Sequence, residues 1–321
     1  MIGPVITMTT TNYRRPIPPA ERLAICLRFL ATGDSYRTIA CRYRVGVSTV
    51  ARIVTQVTKV IWDALVPHAS AHHRRLEEYC RGLPSQHLVI RAPDNSGSLF
   101  YNYKGTYSIV LLAVVDSEYC FRVVDVGSYG RTSDGDVLAN SNFGQKLLDG
   151  TLGLPPDVLL PGAEHMGQQP YVFVTDEAFP LRRNLMRPFP GHQSGSHRVF
   201  NFRLSHARLI VENTFGILTS KWRMYRGVIG VSPANVDTCV KATCVLHNFL
   251  RRTSKTTNRT SRPPAGQPGP SQAPSADGDA VGLQTVTRVG SNNASREAIR
   301  VRETLVSYFS NEGAATWQPT V

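Results

Sequence analysis

The sequence of 321 residues has no long hydrophobic run. Its longest apolar stretches, such as residues 107–115, fall far short of the roughly 18 residues that cross a bilayer. The first 15 residues carry their arginines after a weakly apolar stretch, which is the reverse of a secretory signal. We therefore expect an intracellular protein without a membrane span.

Cysteine-based and nucleotide-binding motifs are also missing. The six cysteines form no Cys-x-x-Cys pair, and their scatter indicates neither a zinc ribbon nor a disulfide scaffold. Gly-Lys never occurs, so no Walker A loop can be drawn, and the Gly-x-Ser-x-Gly elbow of serine hydrolases is absent. Nucleotide hydrolysis and serine-hydrolase chemistry therefore lack support.

What the sequence does contain is an uneven excess of positive charge. The chain carries 36 Lys and Arg against 23 Asp and Glu, a formal net charge of +13. Residues 1–75 contribute +8 of it, residues 76–250 contribute +1 and residues 251–321 contribute +4. The basic N-terminus favours a polyanionic partner, although solubility alone can also produce positive charge.

Composition and apolar spacing divide the chain into four parts. We predict a helix-turn-helix domain over residues 1–75, an α/β domain over 76–252, a disordered linker over 253–294, and a short C-terminal helix and tail over 295–321. The linker is rich in Ser, Thr, Pro and Gly, with too few large apolar residues to offset its ordering entropy.

Three helices are predicted at the N-terminus. Gly33 ends the first, Ser35 caps the second, and Ser48 caps the third, which runs roughly over residues 49–65. The apolar positions of the third helix recur at helical spacing and face inward, which leaves its opposite face polar and basic. Two short helices, a tight turn and a capped third helix of this kind indicate a helix-turn-helix.

Six residues of this predicted domain are candidates for DNA contact. Arg and Gln side chains can read base edges in the major groove, while Arg and Lys can hold phosphates. The charge of +8 favours DNA binding over an ordinary three-helix bundle with a solvated basic face. The candidates are Arg42, Arg44, Thr49, Arg52, Gln56 and Lys59.

The middle of the chain is predicted to form a sheet and helices. Apolar, β-branched runs and helical spacing predict strands at 87–90, 107–116, 120–127 and 171–176, and helices near 136–148 and over 201–221. The second and third strands form a hairpin, because only a tight turn separates them.

Two acids stand out in this segment, at a strand end and beside a helical apolar stripe. Asp176 ends a buried strand, and Glu212 borders the apolar face of the following helix. Acids that converge at one edge of an α/β sheet can hold Mg²⁺, which prefers oxygen ligands. Spacing alone leaves the structural alternatives open, since a strand-end Asp is more often a turn residue and Glu212 can pair with Arg208.

A set of short motifs follows in order along the chain. They are FYNYKGTYS at 100–108, AVVD at 113–116, DVGSYG at 125–130, SDG at 133–135, TDEAFPL at 175–181, FNFRLSHAR at 200–208, VENTFG at 211–216 and VLHNF at 245–249. In this order they resemble the PIF/Harbinger family of transposases and their domesticated nuclease-like descendants. The resemblance implies an RNase H-like mixed sheet flanked by helices. It also implies a DDE site for Mg²⁺ or Mn²⁺, and DNA cleavage at a target read by the N-terminal domain.

The resemblance also implies roles for individual acids and partners. Asp176 matches the family's second catalytic acid and Glu212 its third, so both are expected to act in catalysis and to ligate the metal; Asp134 matches a further recurrent acid and is a third expected metal ligand. The family's first acid lies in a pattern resembling GAIDGKH, but residues 81–87 here read RGLPSQH, with Pro84 in its place. A nuclear location, with the cytoplasm as the alternative, and a Myb-like protein partner are further expectations.

Pro84 leaves two explanations open. Either a faulty exon junction near this codon removed the acid from the sequence, or the protein has lost it. Proline has no side-chain oxygen and no N–H for the strand, so we predict weakened metal binding and little or no strand cleavage by this chain. The alternative function is a non-catalytic DNA-binding protein that keeps the nuclease fold as a scaffold.

Overall fold

The computed structural model describes residues 2–9, 15–70, 81–260, 283–285 and 294–319. Its helices are α1 (Pro19–Thr32), α2 (Tyr36–Tyr43), α3 (Val47–Ser70), α4 (Asp134–Asn140), α5 (Asn142–Leu148), α6 (Gly195–Lys221), α7 (Pro233–Thr260) and α8 (Arg296–Ser310). Its strands are β1 (Arg81–Gly82), β2 (Ser85–Val89), β3 (Ser108–Val115), β4 (Phe121–Tyr129), β5 (Val158–Leu159), β6 (Gln168–Gln169), β7 (Phe173–Val174), β8 (Leu185–Met186) and β9 (Leu283–Thr285). Among the described helices, none has the length and apolarity needed to span a membrane.

The predicted boundaries of α1 and α2 are confirmed, and that of α3 needs one correction. Gly33 ends α1 in the left-handed conformation at φ 71°, and the Ser35 hydroxyl accepts a hydrogen bond from the Thr38 N–H at the start of α2. Ser48 does not cap α3. The helix begins at Val47, two residues before the predicted start at residue 49, because the Val50 N–H already donates to the Gly46 carbonyl.

Helix α3 packs against α7 and so shares the core of the sheet domain. Its apolar stripe, Val50, Ile53, Val54, Val57 and Ile61, is completely buried, as predicted. The Thr55 hydroxyl donates to the Asn235 side-chain oxygen (3.0 Å), and the Thr58 hydroxyl donates to that of Thr238 (3.2 Å). These bonds fix which side of α3 turns towards α7 and which side faces solvent.

The sheet is mixed, with antiparallel strands on one side and parallel strands on the other. β3 runs antiparallel to β4 and, on its other edge, to β1 and β2; β7 lies parallel to β1, and β8 parallel to β7. The predicted hairpin is confirmed as β3 and β4. The predicted strand at 171–176 is shorter than expected, since only Phe173–Val174 pairs.

β1 and β2 form one strand that is interrupted only at Pro84. Gly82 lies opposite Val115 and Ser85 opposite Leu112, so the register against β3 is the same on both sides of the proline. The Pro84 carbonyl accepts a bond from the Ala113 N–H (3.1 Å), but proline has no N–H with which to return one. The interruption is therefore a lost donor and not a bulge.

Side chains of this interrupted strand alternate between two cores. Leu88 packs with residues of α3, α6 and α7, whereas Leu83 packs with Leu112 and with Val137 of α4. Positions with even numbers therefore face α6, and those with odd numbers face α4. This alternation decides which acids can meet at the strand.

The predicted linker over residues 253–294 is wrong in two places. α7 continues to Thr260, so the first residues of the linker are helical. β9 pairs antiparallel with β2, where β7 no longer covers the strand edge and its backbone groups need partners. The remaining linker residues lie outside the described part of the chain. Beyond them, the Ser295 hydroxyl caps α8 as expected, and α8 packs on α6.

Gly82 allows α6 to approach the interrupted strand, and its replacement tests that contact. A Cβ at this position would collide with the Val211 side chain of α6. We expect Gly82→Ala to lower the free energy of unfolding by about 1–3 kcal/mol, measured by denaturant titration, because a filled contact must be pushed apart. Gly216→Ala is the control, since its Cβ meets open space on the same helix and should leave stability equal or slightly higher. Equal effects of both changes would contradict the close approach.

Candidate functional site

Two of the predicted acids meet in a small pocket at the edge of the sheet. Asp176 follows β7, Glu212 lies on α6, and both line a pocket of about 20 Å³ together with Pro84 and Arg208. A space of this size has room for about one water molecule or one small ion. We call it the acid pocket.

Asp176 is held by its own loop and faces a guanidinium. Its Oδ1 accepts a hydrogen bond from the Ala178 N–H (3.1 Å), and only 9% of the residue is exposed. Burial raises the pKa of Asp176, although the Arg208 guanidinium and the Ala178 N–H oppose the rise. Glu212 lies one helical turn after Arg208 and is exposed to solvent. The pocket thus already contains one protein cation beside its buried acid.

Asp134 lies on the other face of the interrupted strand, outside the lining of the acid pocket. It is buried at the first turn of α4, where the Ser85 hydroxyl donates to its Oδ1. Its Oδ2 is buried without a hydrogen-bond partner. Burial raises the pKa of Asp134 to about 7; the bond from Ser85 opposes the rise, and the charge of Asp176 adds to it. Asp134 therefore interacts with Asp176 through its charge, while Glu212 lies across the strand.

Pro84 occupies the position of the strand that faces α6. The alternation of side chains places residue 84 on the same side as Gly82, which contacts Val211 next to Glu212. A carboxylate at this position would face the acid pocket, but proline brings no side-chain oxygen to it. Asp94 is the first acid after Pro84 in the sequence. It does not line this pocket, because it lies in an exposed turn.

The acid pocket meets only part of what a divalent cation requires. Carboxylate oxygens are the ligands that Mg²⁺ and Mn²⁺ prefer, and Asp176 and Glu212 supply them. Across the residues that the structure describes, no three His, Cys, Asp or Glu side chains are arranged to hold a metal ion. The side chains present fit a single ion with an incomplete protein shell, and they do not fit a pair of ions.

The predicted DNA-contact residues lie at the end of α2, just after it and along α3. Most of their side chains are exposed, and Thr49 is half-buried. Arg44 follows α2 in the left-handed conformation, at φ 54°. The exposed side chains are those of Arg42, Arg44, Arg52, Gln56 and Lys59.

Arg22, a buried residue of α1, supports this surface through its bond to Gln56, and the sequence analysis did not identify it. Only 4% of Arg22 is exposed, and its NH2 group donates to the Gln56 Oε1 (2.7 Å). Burial, and secondarily the charge of Arg52, lowers the pKa of Arg22. A guanidinium has only donors, so the Gln56 oxygen must face it and the Gln56 NH2 group must point away. The sequence pattern could have identified Arg22, because this charged residue lies on the apolar stripe of α1 with Cys26 and Phe29.

The central part of the chain matches a known protein family. Residues 84–248, just over half of the chain, match the family described as DDE superfamily endonuclease. The chain belongs to the DDE superfamily endonucleases. The match begins at Pro84, the position where the resemblance to PIF/Harbinger transposases places the first acid.

Curated relatives of this DDE superfamily endonuclease cover most of the chain. A protein named ALP1-like from Arabidopsis thaliana is 28% identical over 251 residues, which are 73% of this chain and 61% of that protein. HARBI1 from Homo sapiens carries the word nuclease in its name. It is 25% identical over 261 residues, which are 74% of this chain and 69% of that protein. These relatives confirm the resemblance to the Harbinger-derived family, and the chain spans about three fifths of the ALP1-like protein. No solved structure matches it significantly.

Asp134 makes the stability of the fold depend on pH. The pKa of Asp134 is about 7 in the folded protein and about 3.9 in the unfolded chain. Below about pH 4 the carboxyl is protonated in both states and costs the fold nothing. As the pH rises from about 4 to about 7, the unfolded chain loses this proton first and the fold loses stability. Asp134→Asn keeps an acceptor for Ser85 without the charge. We expect the variant to gain on the order of 2 kcal/mol over the parent between pH 5 and pH 8, in unfolding titrations with chelator present. Identical pH profiles for the two proteins would contradict the buried, unpaired oxygen.

Proposed function

We propose that this chain is a transposase-derived DNA-binding protein with an RNase H-like nuclease domain whose metal-dependent strand cleavage is impaired. The observation that carries the proposal is the place of Pro84 in one pocket with Asp176 and Glu212. The family match and the HARBI1 relatives support a nuclease ancestry. The proposal treats residues 1–75 as the DNA-reading part and 76–252 as the nuclease part.

The strand order supports the RNase H-like part of the proposal. Three antiparallel strands come first along the chain, β2 with β1, then β3 and β4, and two parallel strands, β7 and β8, extend the sheet from β1. Helices follow on both faces, with α6 on one and α4 on the other. This arrangement brings Asp176, at the end of a strand in the middle of the sheet, to the interrupted strand beside it.

The acid pocket provides two of the three carboxylates that such chemistry needs. Asp176 and Glu212 would hold a divalent cation, which when bound polarises a phosphate oxygen and activates water. A third carboxylate, on the neighbouring strand, would offset the positive charge of a second ion. The proline ring at position 84 supplies no such group. Arg208 compensates part of the charge of Asp176, so the need for a cation is smaller still. We infer one weakly held ion and little cleavage.

The exposed face of α3 supports the DNA-reading part of the proposal. Arg52, Gln56 and Lys59 point away from the core, and the first 75 residues carry a net charge of +8. Because Arg22 holds the Gln56 oxygen, the free NH2 group of Gln56 suits an acceptor such as the N7 of a purine. A nuclear location would follow from such a role.

A non-catalytic DNA-binding protein is the second candidate, and the same proline favours it. In that case the acids serve only the fold. Asp176→Ala would then change neither DNA affinity nor Mn²⁺ affinity, whereas the first candidate requires a loss of Mn²⁺ binding. Calorimetric titration of Mn²⁺ into both proteins separates the two.

Restoring an acid at position 84 tests the proposed cause of the impairment. We expect Pro84→Asp to gain Mn²⁺-dependent plasmid nicking by at least about tenfold over the parent, since one missing ligand or acid group costs catalysis 10² or more. Pro84→Ala is the matched control, because it removes the ring and restores the N–H without adding an oxygen. The double variant with Asp176→Ala should be inactive.

Two results would contradict this account. One is clear nicking by the unaltered chain that Asp176→Ala abolishes, since it means that Pro84 does not impair cleavage. The other is a folded Pro84→Asp protein that binds Mn²⁺ no better than the Pro84→Ala control, since position 84 would then lie outside the site.

The DNA-reading surface is tested through the salt dependence of binding. For a duplex probe, we expect Arg52→Ala and Lys59→Ala each to reduce the slope of log affinity against log salt by about 1 where the side chain meets a phosphate. Arg300→Ala, an exposed arginine on α8, is the control and should leave the slope unchanged. Equal slopes for all four proteins, measured by fluorescence anisotropy, would place the DNA elsewhere.

A further inference from the structure

A larger cleft lies on the α4 side of the sheet, the face opposite the acid pocket. Its volume is about 570 Å³, within the range of sites that bind small ligands. Tyr101, Tyr103, Arg131 and Ser133 line it, and His87 from β2 forms its floor. We call it the tyrosine cleft. Nothing in the acid pocket's chemistry uses these residues.

The loop that carries the two tyrosines is held by one buried amide. The Asn102 side-chain nitrogen donates to the hydroxyls of Thr106 and Ser108 (both 2.9 Å). Its oxygen accepts from the N–H groups of Lys104 (3.0 Å) and Thr106 (3.1 Å). Gly105 closes the loop at φ 76°. A loop ordered in this way presents its side chains without a further entropy cost when a ligand arrives.

Each tyrosine is supported on one side and exposed on the other. The Tyr101 ring meets Tyr107 edge to face, with centroids 5.3 Å apart, and 46% of Tyr101 is exposed. The Tyr103 ring lies 5.8 Å from that of His87, and 43% of Tyr103 is exposed. His87 is itself fixed by a 2.9 Å hydrogen bond to the Ser108 hydroxyl. The cleft therefore offers two fixed aromatic surfaces to solvent.

Positive charge accompanies these rings. The Lys104 ammonium lies 5.6 Å from the Tyr103 ring centroid, and Arg131 is exposed at the rim. The Asp136 carboxylate also reaches the rim, where it accepts a bond from the Ser133 hydroxyl (2.6 Å). The guanidinium of Arg131 and the ammonium of Lys104 suit an anion that carries a flat ring.

We propose that the tyrosine cleft binds one unpaired nucleotide of the DNA, with its base stacked on Tyr101 or Tyr103 and its phosphate near Arg131 and Lys104. Aromatic stacking platforms with neighbouring basic groups are how proteins bind unpaired bases. The inference rests on the proposed function, because it takes DNA as the substrate. The tyrosine cleft would hold a nucleotide of a strand that has separated from the duplex.

The cleft lies on the same face of the interrupted strand as Asp134, opposite the acid pocket. Ser85, beside Pro84, and His87, on the cleft floor, lie two residues apart on the same face of one strand, a separation of about 7 Å. Ser85 bonds to Asp134, and Ser133 lines the cleft. A nucleotide in the cleft would therefore lie on the side of Asp134, across the interrupted strand from the acid pocket.

The test compares two DNA duplexes of equal sequence, one fully paired and one with a single unpaired 2-aminopurine. We expect the unaltered chain to bind the second duplex more tightly, with quenching of the 2-aminopurine fluorescence by the stacked tyrosine. Tyr103→Ala combined with Tyr101→Ala should reduce the preference by about tenfold or more. The corresponding Phe variants should keep it, and Arg131→Ala should weaken binding with a smaller salt slope.

Two controls separate this cleft from the surface of α3. Phe249→Ala removes an equally exposed aromatic ring on α7 and should leave the preference intact. Arg52→Ala on α3 should weaken binding of both duplexes by the same factor, so that their ratio is unchanged. Circular dichroism melting curves identify any variant that fails to fold, and in that case the loss of binding and the smaller salt slope of Arg131→Ala carry the test.

The outcomes distinguish the cleft from the proposed DNA reader. If the paired duplex does not bind but the unpaired nucleotide still binds through the tyrosines, the proposal for α3 fails and the cleft stands. If both duplexes bind equally and the double Ala variant changes neither, the inference for the cleft is overturned while the DNA reader stands. Equal binding of free deoxyadenosine monophosphate and the DNA would overturn it too, because the cleft would then be a mononucleotide site.

Discussion

The pairing of one interrupted strand with β3 determines which acids each residue of that strand can face. Its register is the same before and after Pro84, so the alternation of side chains continues through the proline. Residue 84 therefore faces α6 with Glu212, and Ser85 faces α4 with Asp134. A shift by one residue would exchange the two sets, and neither pocket would keep its present chemistry.

Charge explains why the two faces behave differently. On the α6 side, Asp176 has the Arg208 guanidinium and a backbone N–H as partners, so its buried carboxylate is partly compensated. On the α4 side, Asp134 has one neutral hydroxyl and a second oxygen without a partner, so its pKa rises to about 7. Proteins leave buried polar atoms unpaired at a cost, and sites of function are where such costs concentrate.

Much of this arrangement could be predicted from the sequence, because it depends on local patterns. The caps at Ser35 and Ser295, the buried stripe of α3 and the β3–β4 hairpin follow from spacing and residue type. The pairing of β9 with β2 and the bond between Arg22 and Gln56 did not, because each joins residues that are distant in sequence. For the same reason, residues 100–108 were recognisable only as a family motif, and no local pattern predicted the cleft that their two tyrosines line.

The central claim is that position 84 deprives the acid pocket of its second ion. Crystals of the unaltered chain soaked in Mn²⁺ allow the ions to be counted directly by anomalous scattering. The account predicts at most one manganese, bound by Asp176 and Glu212. Two manganese ions at this edge of the sheet, in a chain that still carries Pro84, would contradict it.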